Sequence, residues 1–161
     1  MSLDTYIRAM PKVDLHVHLA EAIPPATLLE LARRNGVALP AGTVEGLQRW
    51  FAYGHFEDFL LVYRTCANCL VTSEDFELAT YEVGNDMARQ NIRYAEVRFG
   101  PSNCSFRGIS RNTYMDGLTR GRRRVAADFG VRINWVFELA CRPSNAGDVG
   151  SDNRNCHRRP G

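Results

Sequence analysis

Residues 13–19 read VDLHVHL, a stretch in which apolar and polar side chains alternate. This alternation predicts a β-strand, because successive side chains of a strand point to opposite faces. His16 and His18 therefore share one face of the strand. Leu15, Val17 and Leu19 lie on the other face, which we expect to be buried beneath helices.

On both sides of this strand the chain alternates between helical and strand patterns. Pro25 suits the first turn of a helix that Gly36 ends, and Ser73 is placed as the N-cap of a later helix. We predict helices over about 26–35, 45–51, 56–70, 74–90 and 112–129, and further strands over 93–99 and 131–139. Strands separated by helices indicate an α/β fold with a parallel sheet and helices outside it.

Composition narrows the class of protein. Of the 161 residues, 45% are hydrophobic and 24% are charged, which is typical of a soluble globular protein. The net charge is only +2, and the single basic cluster, at 120–124, follows a helical pattern and should face solvent, so we expect no nucleic-acid partner. We find neither an apolar run of about 20 residues for a membrane span nor an export signal, so we expect a cytoplasmic protein.

The cysteines give no sign of a disulfide framework, because their number is odd and their spacing is scattered. Cys66 and Cys69 form a C-x-x-C pair within a predicted helix. No second pair is suitably spaced to complete a zinc site. We therefore expect both to be small, buried helix residues.

His16 and His18 are the candidate metal ligands. Residues two apart on a strand have Cα atoms about 7 Å apart, so two imidazoles can converge on one ion. Zinc bound in this way lowers the pKa of a water ligand towards about 7. The alternative is a pair of polar histidines without an ion. Their place at the C-terminal end of the first strand favours the metal, since βα barrels carry their sites there.

Four segments together resemble the adenosine deaminase family: PKVDLHVHL at 11–19, AIPPATLLELARRNGV at 22–37, FEDFLLVYRT at 56–65 and RYAEVRFGP at 93–101. The resemblance implies a TIM-like (β/α)8 barrel, of which about three strands are present here. It implies zinc-dependent hydrolytic deamination of adenosine or a related 6-aminopurine nucleoside, in which water replaces the 6-amino group and ammonia leaves.

The same resemblance implies roles for individual residues. His16 and His18 match the first two zinc ligands. The substrate-binding positions match His18, Phe56, Phe59, Leu60 and Tyr63, the last four forming an apolar wall over the purine. For those four, ordinary helix core is the alternative. For Glu96 and Arg98, in the second strand, we expect an interior salt bridge.

Two positions depart from the family's pattern. An acidic residue and a glycine usually follow H-x-H-L, but Ala20 and Glu21 stand there. The family's acidic residue contacts the ribose 5′-hydroxyl, a contact that Ala20 cannot make. Glycine permits a positive φ and close backbone approach, and Glu21 resists both. The departure implies either a substrate with a different 5′ group, such as aminodeoxyfutalosine, or a decayed copy.

No catalytic residue can be assigned in this chain, because the family's remaining ligands and its proton donor come from later strands. We expect residues 1–140 to be the N-terminal part of the barrel, and the polar residues 141–161 to be disordered or frame-altered. On this interpretation the chain is truncated, inactive alone and prone to aggregate. The alternatives are a fragment of a PHP-type metal phosphoesterase, whose first strand also reads D-L-H-x-H, and a non-catalytic truncated product.

Overall fold

The computed structural model describes residues 2–52 and 54–138, in which seven helices and three strands follow one another. The predicted tail at 141–161 lies outside the described residues. The elements are α1 (Leu3–Ala9), β1 (Lys12–His18), α2 (Pro25–Asn35), α3 (Val44–Phe51), α4 (Phe56–Asn68), α5 (Ser73–Arg89), β2 (Ile92–Phe99), α6 (Pro101–Phe106), α7 (Arg111–Phe129) and β3 (Arg132–Phe137). The alternation of strands and helices confirms the predicted α/β class.

The three strands form one parallel sheet in the order β1-β2-β3. His18 lies opposite Arg98, and Arg98 lies opposite Val136 in the next strand. β1 and β3 are therefore the two edges of a sheet that does not close within the described residues. The C-terminal ends of the strands meet at one rim, as in an incomplete β/α barrel.

Helices cover the outer face of this sheet. Ala95, Val97 and Phe99 of β2 are buried there, whereas the alternate residues of the strand lie on the opposite, inner face. α5 and α7 pack against each other so closely that Gly117 has room for a hydrogen atom only. A Cβ at Gly117 would clash with the carbonyl oxygen of Ser73.

Helix ends follow the sequence with one correction. Gly36 ends α2 in the left-handed conformation, as predicted. The N-cap of α5 is Thr72 and not Ser73, because Thr72 and Asp75 form a reciprocal capping box. The Asp75 carboxylate is fully buried and also accepts hydrogen bonds from Arg34 and Asn35 of α2. It therefore ties α2 to the start of α5.

The first strand corrects a second expectation. Val17 is half-buried and Leu19 is buried, but Leu15 is 56% exposed and not covered by helices. The pairing of β1 with β2 shifts register between Asp14 and Val17, which interrupts the strict alternation of faces. β1 is also an edge strand, so fewer neighbours cover its side chains. Two short helices, α1 and α6, were not predicted from the sequence.

The structure also locates the C-x-x-C pair and the basic cluster at 120–124. Cys66 and Cys69 are free and buried, as expected of small core residues. Within the basic cluster, residues 122–124 are exposed, and Arg120 forms ion pairs with Glu77 and Asp116. Among the described helices, none has the length and apolar character needed to cross a lipid bilayer.

Candidate active site

A pair of histidine rings occupies the inner face at the C-terminal end of β1. The Nε2 atoms of His16 and His18 lie 3.3 Å apart, and the ring centroids are 5.3 Å apart. The two rings thus turn the same nitrogen towards a common point. This is the arrangement that the i, i+2 spacing on a strand predicts.

The distance between these nitrogens is the one that two ligands of a single zinc ion require. Two nitrogens that each lie 2.0–2.1 Å from a tetrahedral zinc ion are about 3.3–3.4 Å apart. The observed 3.3 Å between Nε2 of His16 and Nε2 of His18 fits this geometry. Over the described ranges, no group of three or more His, Cys, Asp or Glu side chains could hold a metal ion. The pair therefore supplies two ligands of a larger set.

Glu138 follows β3 directly, and its side chain approaches His18 of β1 across the intervening strand β2. Its Oε2 lies 3.9 Å from Nδ1 of His18, and its Oε1 accepts a 2.6 Å hydrogen bond from Arg98. The backbone N–H of Glu138 donates to the carbonyl of Phe99, which fixes the end of β3 against β2. The carboxylate thus faces the ring nitrogen of His18 that points away from His16. A carboxylate in this place favours the tautomer with its proton on Nδ1 and a free electron pair on Nε2.

The surroundings of His18 favour its neutral form. Burial lowers the pKa of His18, Glu138 opposes the shift, and the charges of His16 and Arg98 add to it. A neutral imidazole is the form that ligates metals. The expected interior salt bridge of Arg98 is present, but its partner is Glu138, whereas Glu96 accepts a hydrogen bond from the Tyr94 hydroxyl.

A pocket of about 740 Å³ opens beside His18 and runs beneath α4. Phe59, Leu60 and Tyr63 line it, and the rings of Phe59 and Tyr63 meet the His18 ring edge-on at centroid distances of 5.8 and 6.3 Å. Gly100 makes room for this wall, since a Cβ there would lie 2.6 Å from the Tyr63 hydroxyl oxygen. The structure therefore brings four of the predicted site residues to one pocket.

Phe56 is not part of this pocket. It is 68% exposed at the start of α4, stacks on Phe59 and lines a separate, shallower pocket of about 410 Å³. Its place at the N-terminal end of the helix puts it one turn further from His18 than Phe59. Its assignment to substrate binding stays a prediction.

Ala20 and Glu21, the two departures from the family pattern, are both turned inward. Ala20 is buried in the core. Both carboxylate oxygens of Glu21 are buried without a hydrogen-bond partner in the described part of the chain. Burial raises the pKa of Glu21 to about 7, and the charge of Glu138 acts in the same direction. Burial raises the pKa of Tyr63 and the charge of Glu21 adds to the shift, so the Glu21 carboxylate lies close to the pocket wall.

Sequence reasoning missed several residues of the site. Glu138 could have been found, because strand alternation places it on the same face as Asn134, at the end where Arg98 and His18 lie. The polar residues contributed by α4 and by α6 and its C-terminal end carried no comparable signal. They line the pocket where the short, unpredicted helix α6 packs below α4. These polar residues are Arg64, Asn68, Ser102, Asn103 and Arg107.

The chain as a whole is similar to proteins of one family. The sequence profile of the adenosine deaminase family matches residues 11–148. The aminodeoxyfutalosine deaminase of Streptomyces coelicolor is 36% identical over 145 residues, which cover 90% of this chain and 37% of that protein. The chain therefore spans well under half the length of this relative.

Solved structures give the same result. The crystal structure of an adenine deaminase from Arthrobacter aurescens superposes with a TM-score of 0.73 at 27% identity, covering 81% of this chain and 40% of the other. An amidohydrolase from Burkholderia ambifaria, determined with bound Zn, gives a TM-score of 0.70 at 27% identity and covers 82% of this chain and 36% of the other.

The fold and the site define a β/α-barrel protein of the amidohydrolase type, represented here by three parallel strands. More narrowly, the chain belongs to the adenosine deaminase family. The predicted resemblance is thereby confirmed, and the match favours a deaminase over the PHP-type phosphoesterase alternative.

Proposed function

We propose that this chain forms the first part of the active site of a zinc-dependent hydrolase that deaminates adenosine or a related 6-aminopurine nucleoside and releases ammonia. The observation that carries the proposal is the 3.3 Å separation of Nε2 in His16 and His18. That separation matches two ligands of one tetrahedral zinc ion.

The residues of the chain have distinct tasks in this proposal. His16 and His18 hold the zinc, and Glu138 orients the ring of His18. Phe59, together with Leu60 and Tyr63, packs on the purine and excludes water from one of its faces. Bound zinc would lower the pKa of water and so provide a nucleophile near neutral pH.

The relatives and Ala20 support the proposed substrate class. The related proteins are named for adenine and for aminodeoxyfutalosine, which share a 6-aminopurine ring. Ala20 is buried and has no group that could bind a ribose 5′-hydroxyl. We therefore favour a 6-aminopurine nucleoside with a substituent at the 5′ position over unsubstituted adenosine.

Zinc binding by the purified chain tests the metal assignment. We expect about one zinc ion per chain by titration calorimetry, and at least tenfold weaker binding in His16→Ala and in His18→Ala, since each loses one of two ligands. His55→Gln is the matched control, because His55 is exposed at the N-cap of α4 and does not line the His18 pocket. Equal zinc affinity in all four proteins would contradict the assignment.

The reaction class is tested with two substrate sets. Ammonia release from 6-aminopurine nucleosides, without phosphate release from phosphoesters, is the expected result for a protein that contains this chain and the rest of its barrel. Phosphate release without ammonia release would overturn the proposed function in favour of a phosphoesterase.

A further inference from the structure

The side chains that α4 contributes to the pocket change from apolar to polar along the helix. Phe59 and Tyr63 lie next to His18, Arg64 directly follows Tyr63 and lines the same pocket, and Asn68 lines it at the C-terminal end of α4. With a rise of 1.5 Å per residue, Asn68 is about 7.5 Å further along the helix axis than Tyr63. The pocket is thus apolar beside the histidines and polar at its far end.

The far end also carries positive charge that no acidic side chain among the described residues balances. The Arg64 side chain forms neither a hydrogen bond nor an ion pair with any residue in 2–52 or 54–138. Arg107 enters from the other side and donates to the carbonyls of Ala67 and Asn68 at 2.7 and 2.8 Å. These acceptors are neutral, and within residues 2–52 and 54–138 no carboxylate forms an ion pair with Arg107.

Acidic residues are scarce around this pocket. Among the described residues that line it, Glu138 is the one carboxylate, and it is engaged with Arg98 at the His18 end. Because that ion pair is neutral overall, Arg64 and Arg107 are the guanidinium groups without a carboxylate partner among the described pocket residues, and each terminal nitrogen of Arg107 has a second N–H besides the one that it donates to α4. Guanidinium groups bind carboxylate and phosphate oxygens through paired N–H donors.

We infer that Arg64 and Arg107 form an anion subsite for a carboxylate or phosphate group that is attached to the purine ligand. This inference rests on the proposed function. When C6 of the purine faces His16 and His18, N9 lies at the opposite end of the ring system, and its substituents extend towards the far end of the pocket. Ala20 leaves the 5′ end of the ribose without a carboxylate partner, which fits a ligand whose 5′ substituent continues to the arginines.

The dimensions of the pocket agree with a ligand larger than a free base. Its volume of about 740 Å³ lies in the upper part of the range of roughly 300–1,000 Å³ that small-molecule sites span. A single purine ring beside Tyr63 would leave the polar half of the pocket to water. A nucleoside with an anionic 5′ substituent fills both halves.

Ligand binding by the full 161-residue chain in EDTA tests the subsite without turnover. The ligands are adenosine, adenosine 5′-monophosphate and adenosine 5′-carboxylic acid, compared in the unmodified chain, Arg64→Gln and Arg64→Lys. Arg122→Gln, on the exposed face of α7, controls for the change in net charge. Inorganic phosphate and benzoate are added separately, with the Arg64 Nε–H resonance followed by NMR.

We expect one or both anionic ligands to bind at least fivefold more tightly than adenosine, and the two arms show whether phosphate or carboxylate is preferred. Arg64→Gln should remove that gain and leave adenosine binding unchanged, Arg64→Lys should keep part of it, and Arg122→Gln should keep all of it. If adenosine binds but neither anion improves its affinity, the subsite is overturned and the proposed function stands. If no purine binds while phosphate or benzoate shifts the Arg64 resonance, the subsite stands and the purine assignment fails.

Discussion

Beside the pocket, Glu21 buries both oxygens of its carboxylate without a hydrogen-bond partner in the described ranges. The glycine that the family usually has at this position permits a positive φ, but Glu21 does not adopt one: Asn91 is the non-glycine residue with a positive φ in the described ranges. Glu21 is accommodated by burial of its side chain near Tyr63, Cys66 and Glu138. A sequence motif shows that a residue departs from a pattern, but the direction of its side chain depends on the helices that pack around it.

Burial of this carboxyl group makes the stability of the protein depend on pH. The pKa of Glu21 is raised from 4.5 to about 7 in the folded chain, so folding favours its protonated form. Its contribution to stability is therefore complete below pH 4.5 and is lost as the pH rises towards 7, by about 3 kcal/mol in total. In Glu21→Gln this loss should disappear.

Urea unfolding at pH 5 and pH 8 measures this effect as the difference between the two proteins, since other groups titrate equally in both. Glu45→Gln is the control, because Glu45 is exposed in the first turn of α3. Parallel stability curves for the unmodified chain and Glu21→Gln would show that Glu21 is solvated in the folded state.

At the scale of the element, patterns along the chain predicted the helices and strands well wherever one face is buried. α2 and α5 have apolar residues at helical spacing, and β2 alternates strictly, so each was located to within a few residues. α1 has no buried residue and α6 has only one, Cys104, so neither left an apolar stripe to detect. The cap of α5 was misplaced by one residue because the sequence does not show which hydroxyl accepts the Asp75 N–H.

Contact between α5 and α7 depends on the absence of a side chain at Gly117. A methyl group there would clash with the Ser73 carbonyl oxygen and lie 2.7 Å from Cβ of Phe76. We predict that Gly117→Ala destabilises the chain by about 2 kcal/mol, because overpacking outweighs the gain of nearly 1 kcal/mol in helix propensity.

Gly42→Ala, where a Cβ meets nothing within 4 Å, should change the unfolding free energy by less than about 0.5 kcal/mol. Thermal unfolding followed by circular dichroism compares the two, and equal midpoints would show that α7 can move aside without loss.

For the sheet as a whole, the sequence predicted three strands that run parallel, because strands joined by helical crossovers form a parallel sheet. Within the candidate site it predicted that His16 and His18 share one face, for a simple reason. His16 and His18 are two residues apart, so strand geometry alone brings them together. Glu138 and Arg107 join the pocket only through packing between elements that are distant in the chain. Residues gathered by tertiary contacts leave no local pattern to find.

The open sheet gives the molecule two unpaired edges among its described strands, and β1 is the more exposed of them. Val13 and Leu15 are 63% and 56% exposed on this strand. Exposed edges with apolar side chains pair readily with other chains, and a lysine on the edge opposes that pairing. We therefore predict concentration-dependent self-association, measured by sedimentation velocity, that Leu15→Lys reduces several-fold.

Leu61→Lys is the matched control, because Leu61 is 58% exposed on α4, away from both edges. If both substitutions reduce association equally, general surface hydrophobicity and not the β1 edge drives it. A difference between them locates the contact on β1, the same strand that carries the two histidines, and association should then weaken zinc binding as the protein concentration rises.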